Sequence, residues 1–328
     1  MVINCYLFFI ILGTLIVLLA YYLPEINLPR NTNIESFENY DQYKLSFPDI
    51  EEVKSKVASQ SYFNFFKEID AKARGINFTF QDFQNKYSSS VINFEESEKK
   101  GLQTFYKDII EVIPEKYRPK LLLSELKLAK VTGIENTYPH THEDLVIFDK
   151  DYYKNFANYD TLKSSKLLPF AKTLIHEMVH VKQRETPSAF DELYRKWGFQ
   201  SVSIQYLKEN IPKSIYNRIR INPDELPYYR FWVWKNKVMP LVIYSSIDVT
   251  QIDQVMYIGL DWNDKTQRKN MNEWNEYIDY FGIEHNNYHP IEILAEYQSM
   301  YFMEVIGDTN PNKIINNSEG YKIYKMLF

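Results

Sequence analysis

Histidine is scarce in this chain, six residues in 328, and it falls in three close pairs: His140 with His142, His176 with His180, His285 with His289. The middle pair brackets an acid, in Thr173-Leu174-Ile175-His176-Glu177-Met178-Val179-His180. On a helix, residues four apart differ by about 40° around the axis and about 6 Å along it. His176 and His180 therefore share a face, at a spacing that lets two imidazoles hold one metal ion. Glu177 flanks that face, where its carboxylate can serve as general base for a water. Two nitrogen ligands and a base within little more than one helical turn suit metal-assisted hydrolysis.

The surrounding residues have to make that segment a buried helix. Leu167, Ala171, Leu174, Ile175, Met178 and Val179 recur at helical spacing, and Pro169 suits a first helical turn. Lys182 stands where an apolar residue would be expected. The plain alternative is a core helix with two incidental histidines, which the cost of burying unpartnered polar groups disfavours. The pairing of all six histidines predicts that three segments converge on one polar site.

Catalytic zinc usually takes three protein ligands and leaves a fourth position open. A histidine six residues beyond His180 is excluded, because Thr186 stands there. The candidate lies downstream, in Tyr288-His289-Pro290-Ile291-Glu292-Ile293-Leu294-Ala295-Glu296-Tyr297. Pro290 can open a helix, a carboxylate in the first turn suits the helix dipole, and Glu292 and Glu296 share a face. An exposed acidic face would give the same spacing. Glu185, Asp191 and Glu192 are rival ligands nearer in sequence.

H-E-x-x-H followed by E-x-x-A-E resembles the gluzincin zinc metallopeptidases, most closely their anthrax lethal factor-like branch. The resemblance rests on two short segments. It implies a zincin-like catalytic domain in which His176, His180 and Glu292 hold Zn2+, Glu177 is the general base and Glu296 supports a ligand histidine from behind. More than a hundred residues separate His180 from Glu292, longer than that family's usual gap, so an insertion is expected between the two helices. An oxyanion donor is also needed. Tyr288, just before Glu292, is the candidate, with His285 and His289 nearby; among 27 tyrosines a packing role is the alternative. The apolar run 145–148 reads as a short strand. As the edge strand of a zincin cleft it would pair with extended substrate, with His140 and His142 at its mouth; an exposed turn is the alternative.

Residues 2–23 carry no charged side chain, enough to span a bilayer, and lack the basic start and small-residue cleavage site of a signal peptide. Residues 1–23 are expected to be a retained single-pass transmembrane anchor and 24–48 a polar stalk. The flanking charges do not choose a side of the membrane. The only cysteine, Cys5, lies in that span, so the remainder can form no internal disulfide. A net charge of −5 without a basic stretch excludes nucleic acid as the main partner. Residues 49–328 are expected to fold as one α+β, mostly helical domain. The pattern is helical from Ile50 to about Lys130, a β-rich insertion is placed around 228–260, and helices return around 272–280 and 291–306. The function expected is a membrane-anchored zinc-dependent peptidase acting on a peptide or protein substrate. The alternatives are a non-catalytic zincin-fold binding or assembly protein, against which an intact Glu177 stands, and a structural metal site.

Overall fold

The run Leu-Val-Ile-Phe-Asp at 145–149 is apolar on both faces, and such a strand belongs inside a sheet. The computed structural model, which describes residues 42–159, 167–226, 230–283, 286–307 and 313–327, places it there. Its sheet contains β1 (Lys44–Ser46), β2 (Val91–Ile92), β3 (Glu125–Val131), β4 (His140–His142) and β5 (Leu145–Asp149). The order is β1-β3-β5-β4, with β2 also paired to β3. β3 runs parallel to β1 and β5, and β4 is an antiparallel edge.

Alternation along β5 divides its side chains between two cores. Leu145 and Ile147 meet Val53 of α1 (Ile50–Val57) and Phe83 and Tyr87 of α2 (Phe80–Ser90). Val146 and Phe148 meet Phe105 and Ile109 of α3 (Glu96–Val112) together with Leu174, Ile175 and Met178 of α4 (Leu168–Glu185). Each such side chain contributes about 1.5–3 kcal/mol when fully buried. The helix that carries the histidines is thus pressed onto the sheet by its own apolar stripe. Lys182 is accommodated because its Nζ donates to the carbonyls of Pro119 and Lys120 at 3.1 and 2.7 Å.

After α4 come α5 (Pro187–Lys196) and a second, wholly antiparallel sheet. Its strands are β6 (Phe199–Val202), β7 (Phe231–Trp234), β8 (Val238–Tyr244), β9 (Val255–Asp261) and β10 (Arg268–Asn270). Lys235 and Asn236 both take positive φ (46° and 53°), the two-residue geometry that closes a hairpin between twisted strands. Then follow α6 (Asn275–Phe281), α7 (Pro290–Val305) and α8 (Glu319–Leu327). Ile293, Leu294, Ala295 and Tyr297 of α7 join Val179 of α4 in one core with Trp197, Phe199, Trp232 and Trp234. α4 and α7 are thereby packed side by side.

The α+β class agrees with the expectation, but several boundaries differ. The region read as helical to about Lys130 ends in β3, where Leu126 and Leu128 face one core and Ala129 and Val131 the other, a period of two. The strands near 228–260 belong to a broader sheet, since Phe199–Val202 and Arg268–Asn270 complete it. The stalk expected over 24–48 does not reach its stated end: Lys44–Ser46 pair with Glu125–Lys127, and the Phe47 ring meets that of Phe94 at 4.9 Å. The expected membrane span at 1–23 lies outside the described residues. Among those described, no helix is long and apolar enough to cross a membrane.

One buried polar network ties the two sheets together. Arg74 Nε and Nη2 donate to Glu135 Oε1 and Oε2, both at 2.8 Å, while the hydroxyls of Tyr62 and Tyr87 donate to Oε1. Arg74 also donates to the Ile221 carbonyl at 3.3 Å and the Tyr244 hydroxyl at 3.2 Å. Asp70 Oδ1 accepts from the Ile221 N–H at 3.1 Å and from Tyr244 at 3.0 Å. Burial pushes the Glu135 carboxyl up, but the Arg74 guanidinium outweighs it and holds the acid well below the usual carboxylate range. Glu135→Gln leaves Arg74 buried without its counter-charge and should destabilise the protein by about 3–5 kcal/mol in urea unfolding. A depressed carboxyl stabilises above its unfolded value of about 4 and loses that contribution as pH falls through the folded value. The difference between wild type and variant should therefore stay constant near neutrality and close only in acid.

Candidate metal centre

α4 and α7 bring His176, His180 and Glu292 to one point. His176 Nε2 lies 3.3 Å and His180 Nε2 3.6 Å from the same oxygen, Glu292 Oε2. One nitrogen or oxygen from each of the three falls within 4.8 Å of the others. That is a spacing a single cation can bridge with small side-chain adjustments. The other Glu292 oxygen accepts from Asn222 Nδ2 at 2.7 Å, which fixes the carboxylate plane.

The tautomer of His180 follows from Gln183. Gln183 Nε2 donates to the Tyr194 hydroxyl at 3.1 Å and the Ile291 carbonyl at 3.0 Å, so its Oε1 must be the atom facing His180 Nδ1 at 3.0 Å. Nδ1 then carries a hydrogen, and Nε2, the atom nearest Glu292, is the one that can give up its proton to coordinate a cation, as a ligand histidine must. His180 Nε2 is buried and has no hydrogen-bond partner, and the same is true of Glu177 Oε2. Two orphaned buried atoms beside a shared carboxylate fit a bound cation, and the nitrogen and oxygen donors suit zinc.

Glu296 lies one turn beyond Glu292. Its Oε2 is 3.8 Å from His176 Nδ1 and its Oε1 accepts from Lys172 Nζ at 2.7 Å. It thus stands behind His176, at ion-pair rather than hydrogen-bond distance. Electrostatics mark the centre as short of positive charge. Burial pushes His180 down, but the Glu292 and Asp224 carboxylates raise it to about 10. Burial and then the charge of Asp224 push Glu177 well above the ordinary carboxylate range.

His176, Glu177, Glu292 and Glu296 line a cleft of about 480 Å3, whose wall also includes His140, Asn222, Asp224, Tyr257 and Tyr288. Tyr288 is buried there, and its hydroxyl accepts from Asn222 Nδ2 at 3.0 Å, leaving its own hydrogen available to donate. Asn222 and Asp224 were not singled out in the sequence. They lie in a short turn, Pro223–Glu225, where Asn222 Oδ1 accepts from the Asp224 N–H at 3.2 Å; an Asn-Pro-Asp turn is too common to mark a site. Asp224 could complete a rival set with Glu177 and His180, since one atom of each also falls within 4.8 Å. That set holds one histidine rather than two, and Asp224 Oδ1 is already engaged by the Thr141 N–H at 2.7 Å and hydroxyl at 2.6 Å.

The three histidine pairs do not all converge. His140 reaches the cleft, with Nδ1 at 2.9 Å from the Tyr138 carbonyl and Nε2 buried without a partner. His142 turns away onto Tyr62, ring to ring at 4.5 Å. His289 caps α7: Nδ1 accepts from the Ile291 N–H at 3.3 Å, and Nε2 donates to the Arg230 carbonyl at 3.0 Å. Burial pushes it down to about 4, so it is neutral and structural. His285 lies outside the described residues. Of the rival acids, Asp191 pairs with Arg230 at 2.9 Å, Glu192 pairs with Lys196 at 2.9 Å and Glu185 is exposed.

The strand expected to meet substrate also differs. The run at 145–148 is interior, and the edge is β4. The edge N–H of Thr141 is taken by Asp224, so that position is closed to a substrate backbone.

Comparison of the chain with protein-family models, curated proteins and solved structures finds no match. The functional reading therefore rests on the side chains themselves. Glu292→Ala removes the carboxylate shared by both imidazoles and should strip most of the zinc. Glu296→Ala removes a group behind one ligand and should lower affinity about 10- to 100-fold, so zinc remains at saturating metal. Bound zinc measured in both variants at equal free metal gives the order. Equal retention would place the third ligand elsewhere, and the reverse order would exchange the two glutamates.

Proposed function

We propose that this chain is a zinc-dependent peptidase of gluzincin type with a zincin-like catalytic domain, tethered to a membrane by residues 1–23. The observation that carries the reading is the pair of imidazole Nε2 atoms at 3.3 and 3.6 Å from one Glu292 oxygen, beside the unpartnered Oε2 of Glu177. Three protein ligands on a cleft wall suit a catalytic site, whereas structural zinc is normally enclosed by four. When bound, zinc supplies Lewis acidity that makes a water acidic and polarises the scissile carbonyl.

The chain's own residues do the rest. Glu177 takes the proton of the attacking water as its oxygen bonds to the carbonyl carbon. The carbon–nitrogen bond then breaks, and Glu177 returns the proton to the leaving amine. The neighbouring charge of Asp224 favours the protonated form of Glu177 and so helps hold that proton between the two steps. Tyr288, with its hydroxyl hydrogen uncommitted, is placed to donate to the developing oxyanion. A non-catalytic scaffold would have no need of a buried carboxylate with an unpartnered oxygen next to the histidines.

Glu177→Gln leaves the three ligands untouched and should keep zinc while hydrolysis of a peptide library falls by about 10²–10⁴-fold or more. Wild-type turnover in that variant would remove Glu177 from the mechanism. The tether is tested separately. Full-length protein should stay with membranes after a carbonate wash, and a mature soluble protein beginning near Ala20 would make the segment a cleaved signal.

A further inference from the structure

Two basic side chains, Lys172 and Arg220, line the cleft. Lys172 is neutralised by Glu296 at 2.7 Å. Arg220 makes no side-chain hydrogen bond or ion pair among the described residues, and its Nε is buried without a partner. A guanidinium has five N–H donors and holds its charge at all physiological pH, and leaving the buried Nε donor unmatched is costly. The acid that feels its field is Glu225, and burial, with the Glu292 charge, pushes Glu225 well above the ordinary range. No ion pair joins the Arg220 side chain to Glu225.

The backbone that carries this side chain is anchored. The Arg220 N–H donates to the Val242 carbonyl at 3.0 Å, and the next residue is clamped by Asp70 at 3.1 Å. Tyr257 and Tyr288, their rings 5.7 Å apart, flank it on the same wall. The same cleft also carries the acids Asp224 and Glu292, which disfavour an anion beside them.

We propose that Arg220 is a carboxylate anchor that binds one anionic group of the substrate, an acidic side chain or the free C-terminal carboxylate, and so sets which bond reaches Glu177. A planar guanidinium matches a carboxylate with two parallel hydrogen bonds. Among the described residues of the wall, Lys172 is paired with Glu296 and Arg220 has no acid partner, so an anionic group is favoured at Arg220. This assignment of substrate class rests on the peptidase reading.

The test uses the full-length chain in saturating zinc, carrying Glu177→Gln so that nothing turns over. Fluorescein-labelled peptides on one Ala/Ser/Leu scaffold are titrated by anisotropy. One glutamate, or glutamine in its place, is walked along the scaffold, and the C terminus is either acid or amide. One acid-bearing peptide should bind about 10- to 100-fold tighter than its neutral counterpart, the range for hydrogen bonds to a charged group. The glutamate and terminus arms identify which carboxylate it is. Arg220→Gln should abolish that preference with the neutral peptide's affinity unchanged, and Arg220→Lys should keep part of it. The proposal is overturned if no acid-bearing peptide is preferred, if the preference survives Arg220→Gln, or if neutral and acidic peptides weaken together. Should Arg220→Gln lose zinc or fold, Arg220→Lys decides, and an undiminished preference there overturns the proposal. Cleavage by the protein with Glu177 intact is scored separately. Arg220-dependent binding without cleavage would sink the peptidase reading alone, and cleavage without Arg220-dependent preference would sink only the anchor.

Discussion

Three carboxyl groups, from Glu177, Asp224 and Glu292, crowd two imidazoles in a place where Glu177 and Glu292 are each only 4% exposed and His180 1%. Taking each such charge out of water costs several kcal/mol unless opposite charge and hydrogen bonds are supplied close by. The cluster is therefore stable only with positive charge at its centre. A proton on His180 meets that need in part, because the Glu292 and Asp224 carboxylates outweigh the effect of burial there. A divalent cation would meet it fully and would release that proton as it bound. The other features of the molecule that bear on the site hold these groups together against their mutual repulsion.

Two devices do this. The first is the pairing of α4 with α7, whose shared apolar core keeps the imidazoles opposite Glu292. Gln183 reinforces it, because its amide reaches from His180 to the first turn of α7 through the Ile291 carbonyl. The second is the segment leading from Arg220 to Glu225. Asp70 and Arg74 grip Ile221 through its N–H and carbonyl, and Asn222 and Asp224 are then presented to Glu292 and Glu177. Tension between an ion-pair network in one layer and a cluster of like charges in another is resolved at a single short stretch of backbone. Loosening Glu135, which itself lines the cleft, would accordingly also reach Asn222 and Asp224 through Arg74 and Ile221.

The parts of this arrangement that were legible in the sequence are those set by local periodicity. Six apolar positions at helical spacing made α4 readable, and the structure buries all of them. Pro290 marked the start of α7, and with it the face shared by Glu292 and Glu296. The rest depends on long-range contacts. Asn222 and Asp224 acquire meaning only because a buried arginine far away in the chain fixes their turn. His289 stands in sequence beside the oxyanion candidate Tyr288, yet its position immediately before a proline-led helix makes it a cap. β3 reads as helical in sequence because Leu126, Leu128, Ala129 and Val131 fill two cores, and a strand buried on both faces shows no clean apolar–polar alternation. β1 was missed because three residues in a polar stretch become a strand only when β3 offers them an edge.

The closing of β4 at Thr141 bears on how a substrate would be held. An extended peptide laid against an open sheet edge gains backbone hydrogen bonds whatever its sequence, and side chains then refine the choice. Here the edge N–H is consumed by Asp224, which is needed beside Glu177, so the site and the sheet edge compete for one turn. With that ladder interrupted, less of the binding energy can be independent of sequence, and more must come from side-chain and terminal groups of the substrate. A guanidinium without a partner on the wall, flanked by two tyrosines, is the kind of group that can supply it. Selectivity at this cleft would then be strong for charge and weak for backbone length, the reverse of a peptidase that reads its substrate as a strand.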